Sequence, residues 1–295
     1  MELRQLEYFV AVAEGLHFGR AAERLSIGQP AVSQQVARLE RELGVSLFDR
    51  SARSVRLTAE GSRLLPEARA VLVAADRARL AVAVSPGGTA TRILRLGSST
   101  GLGDRLTRVL QALRATQPET ETDLVSAPTR VRLERVASGQ LDAAFVRGVV
   151  TAAGVELIEV WQDRLVVALP ATHELAGPSV VPLAALAELP LRIVSHRLNP
   201  PLVDLVMGAC AAAGFTPTLG AHPDTLENAL AAIAAGPASW TVLYEAHART
   251  LRVPEVLFRP TDPELVMPTA LAVREDATSR MVAPLIRACA AAAHD

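Results

Sequence analysis

The sequence predicts an α/β protein in two parts: a small, mostly helical N-terminal unit and a larger C-terminal unit of alternating strands and helices. Three observations carry this. Residues 1 to about 57 hold short apolar stripes of period 3.6 followed by a brief alternating stretch. One long helical pattern then runs from Thr58 to about Val84 and ends at S-P-G-G-T, residues 85–89. From about residue 92, apolar runs alternate with amphipathic segments for some 200 residues. The chain has 295 residues, enough for two or three domains.

The elements follow in order. Leu3, Leu6, Phe9, Val10 and Ala13 form the first helical stripe, and Ala21, Ala22 and Leu25 repeat the spacing. S-I-G-Q, residues 26–29, interrupts it, and Val32, Val36, Leu39 and Leu43 resume it. This reads as helix, helix, tight turn, helix, with Gly44 closing the last as a C′ glycine does. Val45 and Leu47, then Val55 and Leu57, alternate with polar neighbours around D-R-S-A-R-S, which predicts a small hairpin or wing. In the long helix, Leu64, Val71 and Ala78 lie seven apart, as do Ala68, Ala75 and Val82, giving a weak, Ala-rich heptad seam. A helix packed on its own domain is the competing reading. The Pro-Gly-Gly that follows reads as a hinge.

Beyond it, I-L-R-L-G, D-A-A-F-V, L-V-V-A-L-P, L-R-I-V-S, W-T-V-L-Y and T-A-L-A-V read as strands. L-T-R-V-L-Q-A-L-R-A, V-D-L-V-M-G-A-C-A-A-A-G, T-L-E-N-A-L-A-A-I-A-A-G and M-V-A-P-L-I-R-A-C-A-A-A-A read as helices. Two α/β lobes with a ligand cleft at the strand ends suit this length.

Composition narrows the class. Half of the residues are hydrophobic and 21% charged, as in a soluble globular chain. No apolar run reaches the roughly 18 residues of a membrane span, and M-E-L-R-Q-L-E-Y-F-V does not read as a secretory signal, so a cytosolic location is expected. The net charge of −1 argues against a protein that coats nucleic acid and leaves a small reader domain open. Every basic residue other than histidine is Arg, the side chain suited to phosphate forks and carboxylate clamps. Cys210 and Cys289 stand far apart with no Cys-x-x-Cys pair and read as small buried hydrophobes rather than a redox sensor. The histidines have no metal-ligand spacing, no paired carboxylates suggest acid–base work, and no metal or cofactor is expected. Ten aromatic residues make a poor platform for single-stranded nucleic acid.

The third helix carries the first chemistry. Its apolar positions must bury, which turns Gln29, Ser33 and Gln34 outward, with Pro30 in the first turn where the missing N–H is not needed. Gln can bond an adenine edge bidentately and Ser a base or phosphate. Arg50, Arg53 and Arg56 on the wing have no acid between Arg50 and Arg56, which suits phosphate or minor-groove contact. A solvated helical domain with an arbitrary polar face is the plain alternative.

The motifs F-x-R-A-A-x-x-L, Q-P-A-x-S-x-x-x-x-x-L-E-x-x-L-G-x-x-L-F-x-R and L-T-x-x-G stand in order within residues 2–61, and V-A-S-G-Q-L-D-A-A-F, L-V-V-A-L-P-A-T-H-E-L-A and A-A-G-F-T-P follow. This string resembles the LysR-type transcriptional regulators, specifically at the N-terminus and more loosely beyond residue 90. The resemblance implies a winged helix-turn-helix over residues 1–58, a linker and dimerisation helix with its hinge over 59–90, and an effector-binding domain over 91–295. That domain would be two-lobed like periplasmic binding proteins, with lobe I about 91–161 and 267–295 and lobe II about 162–266. It implies a homodimer or homotetramer that binds duplex DNA, bends it, and answers to a small effector; an organic anion such as a carboxylate is expected. Gln29, Pro30, Ser33, Gln34, Arg50 and Arg53 occupy the family's base- and backbone-contact positions. Two departures matter: Gly28 stands where a Ser cap is frequent, and Gln34 where a basic residue is frequent.

Gly97-Ser98-Ser99-Thr100-Gly101 fits the nucleophile-elbow pattern G-x-S-x-G, so a hydrolase, or a two-lobed binding protein without DNA, is the rival reading. No strand platform or oxyanion loop precedes it, which disfavours the hydrolase; no catalytic residue is assigned. Binding suits the turn better, because hydroxyls and N–H groups before a helix make a seat for a carboxylate. By the resemblance, Ser99 and Thr100 face the effector cleft, as does Thr129 in S-A-P-T-R. His196 and Arg197, after a predicted strand, are further candidates. Pro237 and Trp240 depart from the Gly-rich aliphatic run of the family and alter the loop beside the cleft.

Overall fold

The structure is a computed structural model describing residues 1–49, 55–82, 92–275 and 279–293. Arg50 and Arg53 of the predicted wing, and the hinge at 85–89, lie outside the described residues.

Helices α1 (Leu3–Gly15), α2 (Phe18–Arg24) and α3 (Gln29–Leu43) form the N-terminal bundle. Leu6, Phe9, Val10, Ala21, Ala22, Val32, Val36 and Leu39 are buried in one core, as their spacing predicts, while Leu3 and Leu43 stay exposed at the ends of their stripes. His17 caps α2, its Nδ1 accepting from the Gly19 and Arg20 amides. Gly28 is the N-cap of α3 and offers no side-chain acceptor; Gly44 ends that helix at φ +70°. The wing is a short antiparallel pair, β1 (Phe48–Asp49) and β2 (Arg56–Leu57), with Phe48 opposite Leu57. Glu40 on α3 ties it down, Oε1 accepting from the Leu47 and Phe48 amides at 2.8 and 3.2 Å. The predicted alternation fails here. Val45 is 40% exposed, and the successive Leu47 and Phe48 are both buried. A two-residue strand is too short to alternate, and Phe48 turns inward against Phe9 and Phe18.

α4 (Ala59–Val82) is the long helix. Its first half packs on its own domain: Ala68 is buried in the N-terminal core beside Leu64, Leu65 and Leu72, and Arg69 bonds Glu14 on α1 at 3.1 Å. Val71 and Ala78 of the predicted seam stay exposed on the single chain; the Val82 side chain lies outside the described ones. The first half of the helix thus packs on its own domain, as the competing reading expects, and the exposed seam positions Val71 and Ala78 are not buried within the chain.

The rest of the chain contains β3 (Arg92–Ser98), α5 (Asp104–Thr116), β4 (Thr120–Ser126), α6 (Thr129–Ala137), β5 (Ala143–Arg147), β6 (Val155–Pro170) and β7 (Val181–Pro182). It continues with α7 (Pro200–Ala212), α8 (Leu226–Ala235), β8 (Thr241–Tyr244), α9 (Glu245–Ala248), β9 (Val256–Arg259), β10 (Thr261–Asp262), β11 (Val266–Arg274) and α10 (Ser279–Ala293). The main sheet runs β4-β3-β5-β11-β6-β8, with β9 also on β6. β3 pairs β4 and β5 in parallel; the remaining pairings are antiparallel. The long β6 joins two halves. Its first part pairs β11 among cores built from Leu96, Phe145, Trp161, Leu271 and Val136. Its second part pairs β8 and β9 among cores built from Val167, Leu183, Leu191, Val206, Trp240 and Ile233.

L-R-I-V-S does not form the predicted strand. Only Leu191 makes isolated bridges, to Leu219 and Trp240, although Leu191 and Ile193 are buried. The backbone of the run is bonded to Thr218, Gly220 and Trp240 around Leu191, but the pairing does not continue along it, so no ladder forms. β4 and α6 escape the periodicity: T-E-T-D-L-V-S is an edge strand with exposed acids, and α6 is short and Arg-rich.

Candidate functional site

Two surfaces carry chemistry. On α3, burial of Val32, Val36 and Leu39 leaves Gln29, Pro30 and Gln34 exposed and Ser33 half-buried along one face. Arg56 is exposed on the wing. An amide-and-hydroxyl face of this kind offers donors and acceptors to base edges without bringing a carboxylate to the phosphates.

The second surface is a cavity of about 470 Å³. Thr100 and Gly101, in the turn after β3, wall one side. The other walls come from the segment before α7, the start of α8, and β8 with α9, including Asn199, Glu227, Tyr244 and His247. The turn sits tightly against α9. A Cβ on Gly101, at φ +78°, would stand 2.9 Å from the Tyr244 ring, and one on Gly103, at φ +55°, would overlap the Ala246 carbonyl. Glycine is therefore required twice, for its backbone conformation and for the close approach.

Behind the turn lies a buried charge network. Arg147, ending β5, is 8% exposed, and its Nε donates to Asp163 Oδ2 at 2.6 Å. Its Nη1 donates to Ser99 Oγ at 3.2 Å and the Thr100 carbonyl at 2.7 Å, and its Nη2 to the Gly101 carbonyl at 3.1 Å. Its guanidinium stacks on Tyr244, 3.8 Å from the ring centroid, a cation–π contact. Asp163 also accepts from Arg105 and from Thr269 Oγ1. Arg132, 3% exposed, donates to the Ser98 carbonyl at 2.7 Å and to Thr129 Oγ1 at 2.9 Å, while its Nε has no partner. Burial, and secondarily the Arg147 charge, pushes Arg132 down to about 10. Burial likewise pushes the Tyr244 hydroxyl up. Three guanidiniums thus lie about one turn, and among the described residues the one carboxylate bonded to any of them is Asp163, which takes Arg105 and Arg147 but not Arg132. A buried surplus of positive charge is costly unless an anion completes it.

Of the residues predicted for this site, Thr100 lines the cavity. Ser99 and Thr129 serve as hydrogen-bond acceptors for Arg147 and Arg132 beneath it. His196 and Arg197 do not line it: His196 pairs with Asp204 at 3.0 Å on the surface, and Arg197 is exposed. The chain turns after the broken L-R-I-V-S run, and Leu198 and Asn199 reach the cavity instead. Nor is the turn's positive character that of a helix end. α5 begins only at Asp104, whose own carboxylate occupies that first turn, so the guanidiniums supply the charge. Trp240 is fully buried, donating to the Leu189 carbonyl, and takes no part in the cavity. Sequence reasoning missed Arg132, Arg147, Asp163, Asn199, Tyr244 and His247. Arg147 did leave a signal, a charge ending the otherwise apolar run A-A-F-V-R, whereas Asp163 lies in the polar stretch Q-D-R and left none.

Comparison with known proteins identifies the two parts of the chain that carry these surfaces. Residues 3–62 match the family described as "Bacterial regulatory helix-turn-helix protein, lysR family", and residues 87–294 match the "LysR substrate binding domain". The chain is 36% identical over 238 residues to the HTH-type transcriptional regulator ShiR of Corynebacterium glutamicum (strain R), covering 80% of each. It is 38% identical over 216 residues to a probable hydrogen peroxide-inducible genes activator of Mycobacterium avium, covering 71% of this chain and 67% of that one. Full-length CbnR in complex with its target DNA superposes with a TM-score of 0.72 at 26% identity, over 99% of this chain and 100% of that one. A helix-turn-helix match at one end, a ligand-binding match over the rest and relatives that are regulators rather than enzymes lead to one conclusion: the chain belongs to the LysR family of DNA-binding transcriptional regulators.

Proposed function

We propose that this regulator works in the cytoplasm as a homodimer or homotetramer and answers to a small organic anion, a carboxylate above all, in the cavity walled by Thr100 and Gly101. The observation that carries the reading is the charge imbalance beneath that turn: Arg105 and Arg147 share one carboxylate, Asp163, and the buried Arg132, held by the Ser98 carbonyl and Thr129, adds a third positive charge with no carboxylate of its own among the described residues. An anion at the turn restores the balance and touches both halves of the domain. Residues 1–58 form the DNA reader, 59–90 the linker and 91–295 the effector domain. Within the latter, 91–161 with 267–295 and 162–266 are the two lobes, in keeping with the separate cores on either part of β6. Gln29, Pro30, Ser33 and Gln34 meet the DNA from α3, and Arg50, Arg53 and Arg56 from the wing. Binding of the anion favours one arrangement of subunits, and with it one mode of DNA engagement.

The test is a gel-shift titration of operator DNA against salt, repeated with a panel of organic anions. Affinity that falls steeply with salt, depends on site sequence and shifts with an anion supports the reading. Flat, sequence-independent binding would falsify the reader assignment, and indifference to every anion would remove the effector assignment. Peroxide sensing, which the name of the M. avium relative raises, finds no support in the cysteines. Cys210 and Cys289 are fully buried in separate cores, and burial pushes their thiols up to about 11 and about 12.

A further inference from the structure

Resting on the reading of this cavity as the effector site, we propose that the effector is dipolar: an apolar body bearing a carboxylate and a protonated amine. The carboxylate is taken on the Thr100–Gly101 side, and the amine on the α8 side by Asp224 and Glu227.

The cavity walls differ in charge. The Thr100–Gly101 turn is backed by the guanidinium surplus. The α8 side of the lining carries two exposed carboxylates, Asp224 and Glu227, at the start of that helix. Glu227 is held ionised: its own backbone amide first, then the Thr225 hydroxyl, lower its pKa below the ordinary carboxylate value, with the charge of His247 adding to this. The dipole of α8 is thereby already met by its own carboxylate, so that helix end does not attract an anionic ligand. Between the two walls the lining is mostly apolar, with Ile193, Leu198, Leu202, Leu226 and Val242. A cavity of about 470 Å³ has the size of a small-molecule site, for which about 300–1,000 Å³ is usual.

A plain anion would satisfy one wall and meet like charge on the other. A plain cation would do the reverse and leave the buried guanidiniums uncompensated. A ligand with both charges complements both walls and ties the β3 turn to α8, which belong to different halves of the domain. The acids also act by exclusion, rejecting dianions and simple organic acids that the guanidiniums alone would accept.

Isothermal titration of the full-length protein with 4-(aminomethyl)benzoate, 4-methylbenzoate and 4-methylbenzylamine tests this, since the three share one apolar body. The expected result is at least about tenfold tighter binding of the first than of either other. Asp224→Asn and Glu227→Gln should weaken 4-(aminomethyl)benzoate and strengthen 4-methylbenzoate, a crossing of signs that misfolding does not produce. If 4-methylbenzoate binds wild type as tightly as the dipolar probe, the proposal falls and the anion reading stands. If 4-methylbenzylamine alone binds, the anion reading falls with it. Binding of none of the three overturns the proposal, and the wider anion panel then decides the fate of the anion reading separately.

Discussion

Arg147 Nε and Asp163 Oδ2 lie 2.6 Å apart in a pair that is almost wholly buried, joining the end of β5 to the middle of the long β6. The pair stands where the two halves of the effector domain meet, and the same guanidinium holds the Thr100 and Gly101 carbonyls and the Tyr244 ring. Asp163→Ala strands both Arg147 and Arg105 in the interior. The expected loss is about 3–5 kcal/mol of stability, the usual cost of breaking a buried pair from one side. Urea denaturation measures it. The double variant Asp163→Ala/Arg147→Met should recover part of the loss, and strictly additive losses would show that the two residues do not act as a pair.

On the DNA side, Gln29→Ala should narrow the ratio of operator to non-operator affinity by about 1–3 kcal/mol, as the loss of a bidentate base contact does. Ser33→Ala should narrow it in the same direction, while Arg56→Ala should weaken all sequences alike and reduce the salt slope by about one. An unchanged site preference in Gln29→Ala would show that this amide does not read a base.

Gln34 and the bare Gly28 cap leave α3 with less charge and less capping than is frequent in the family. The expectation from this is an affinity that depends more on the wing and the dimer partner. Gln34→Arg should steepen the salt dependence by about one unit of slope. Salt titrations of the two proteins on the same operator give the comparison, and equal slopes count against this account.

The Gly101–Gly103 turn has no room for side chains. Gly103→Ala forces a Cβ into the Ala246 carbonyl and into a backbone conformation, φ +55° and ψ −135°, outside the left-handed helical region and all but confined to glycine, at a cost of about 1–3 kcal/mol. The expected outcome is a Tm lower by several degrees and a weaker response to effector, with operator affinity in the absence of effector retained. Full thermal stability in this variant would mean that α9 does not press on the turn.

The thiols give a pH prediction. Their pKa values are raised in the fold, from about 9 to about 11 for Cys210 and to about 12 for Cys289. Stability from keeping them protonated is therefore complete below about pH 9 and is lost as pH rises through those folded values. Near neutral pH neither thiol should react with a disulfide reagent until the protein unfolds, and hydrogen peroxide should leave operator binding unchanged. Rapid labelling of the native protein would contradict this.

The helix-turn-helix was legible because its information is local. A 3.6-residue stripe fixes which face of α3 buries, and what remains must face outward, so Gln29, Ser33 and Gln34 follow from Val32, Val36 and Leu39. The predicted strands around the effector site were legible for the same reason wherever burial and pairing coincide, and failed at L-R-I-V-S, where an apolar run is buried without a ladder. The sequence by itself therefore determined the order of most elements, with β4 and α6 missed, the outward polar face of α3 and the turn at Ser98–Gly101. Only the tertiary structure decided that Arg132 from α6, Arg147 from β5 and Asp163 from β6 meet beneath that turn, and that Asn199, Glu227, Tyr244 and His247 close the cavity above it while His196 and Arg197 stay outside. The physical reason is that periodicity encodes which side of an element is buried. Which charges share a buried space is set by strand order and by the crossing of β6 between the halves, through contacts such as Thr269 with Asp163 that lie far apart in the chain.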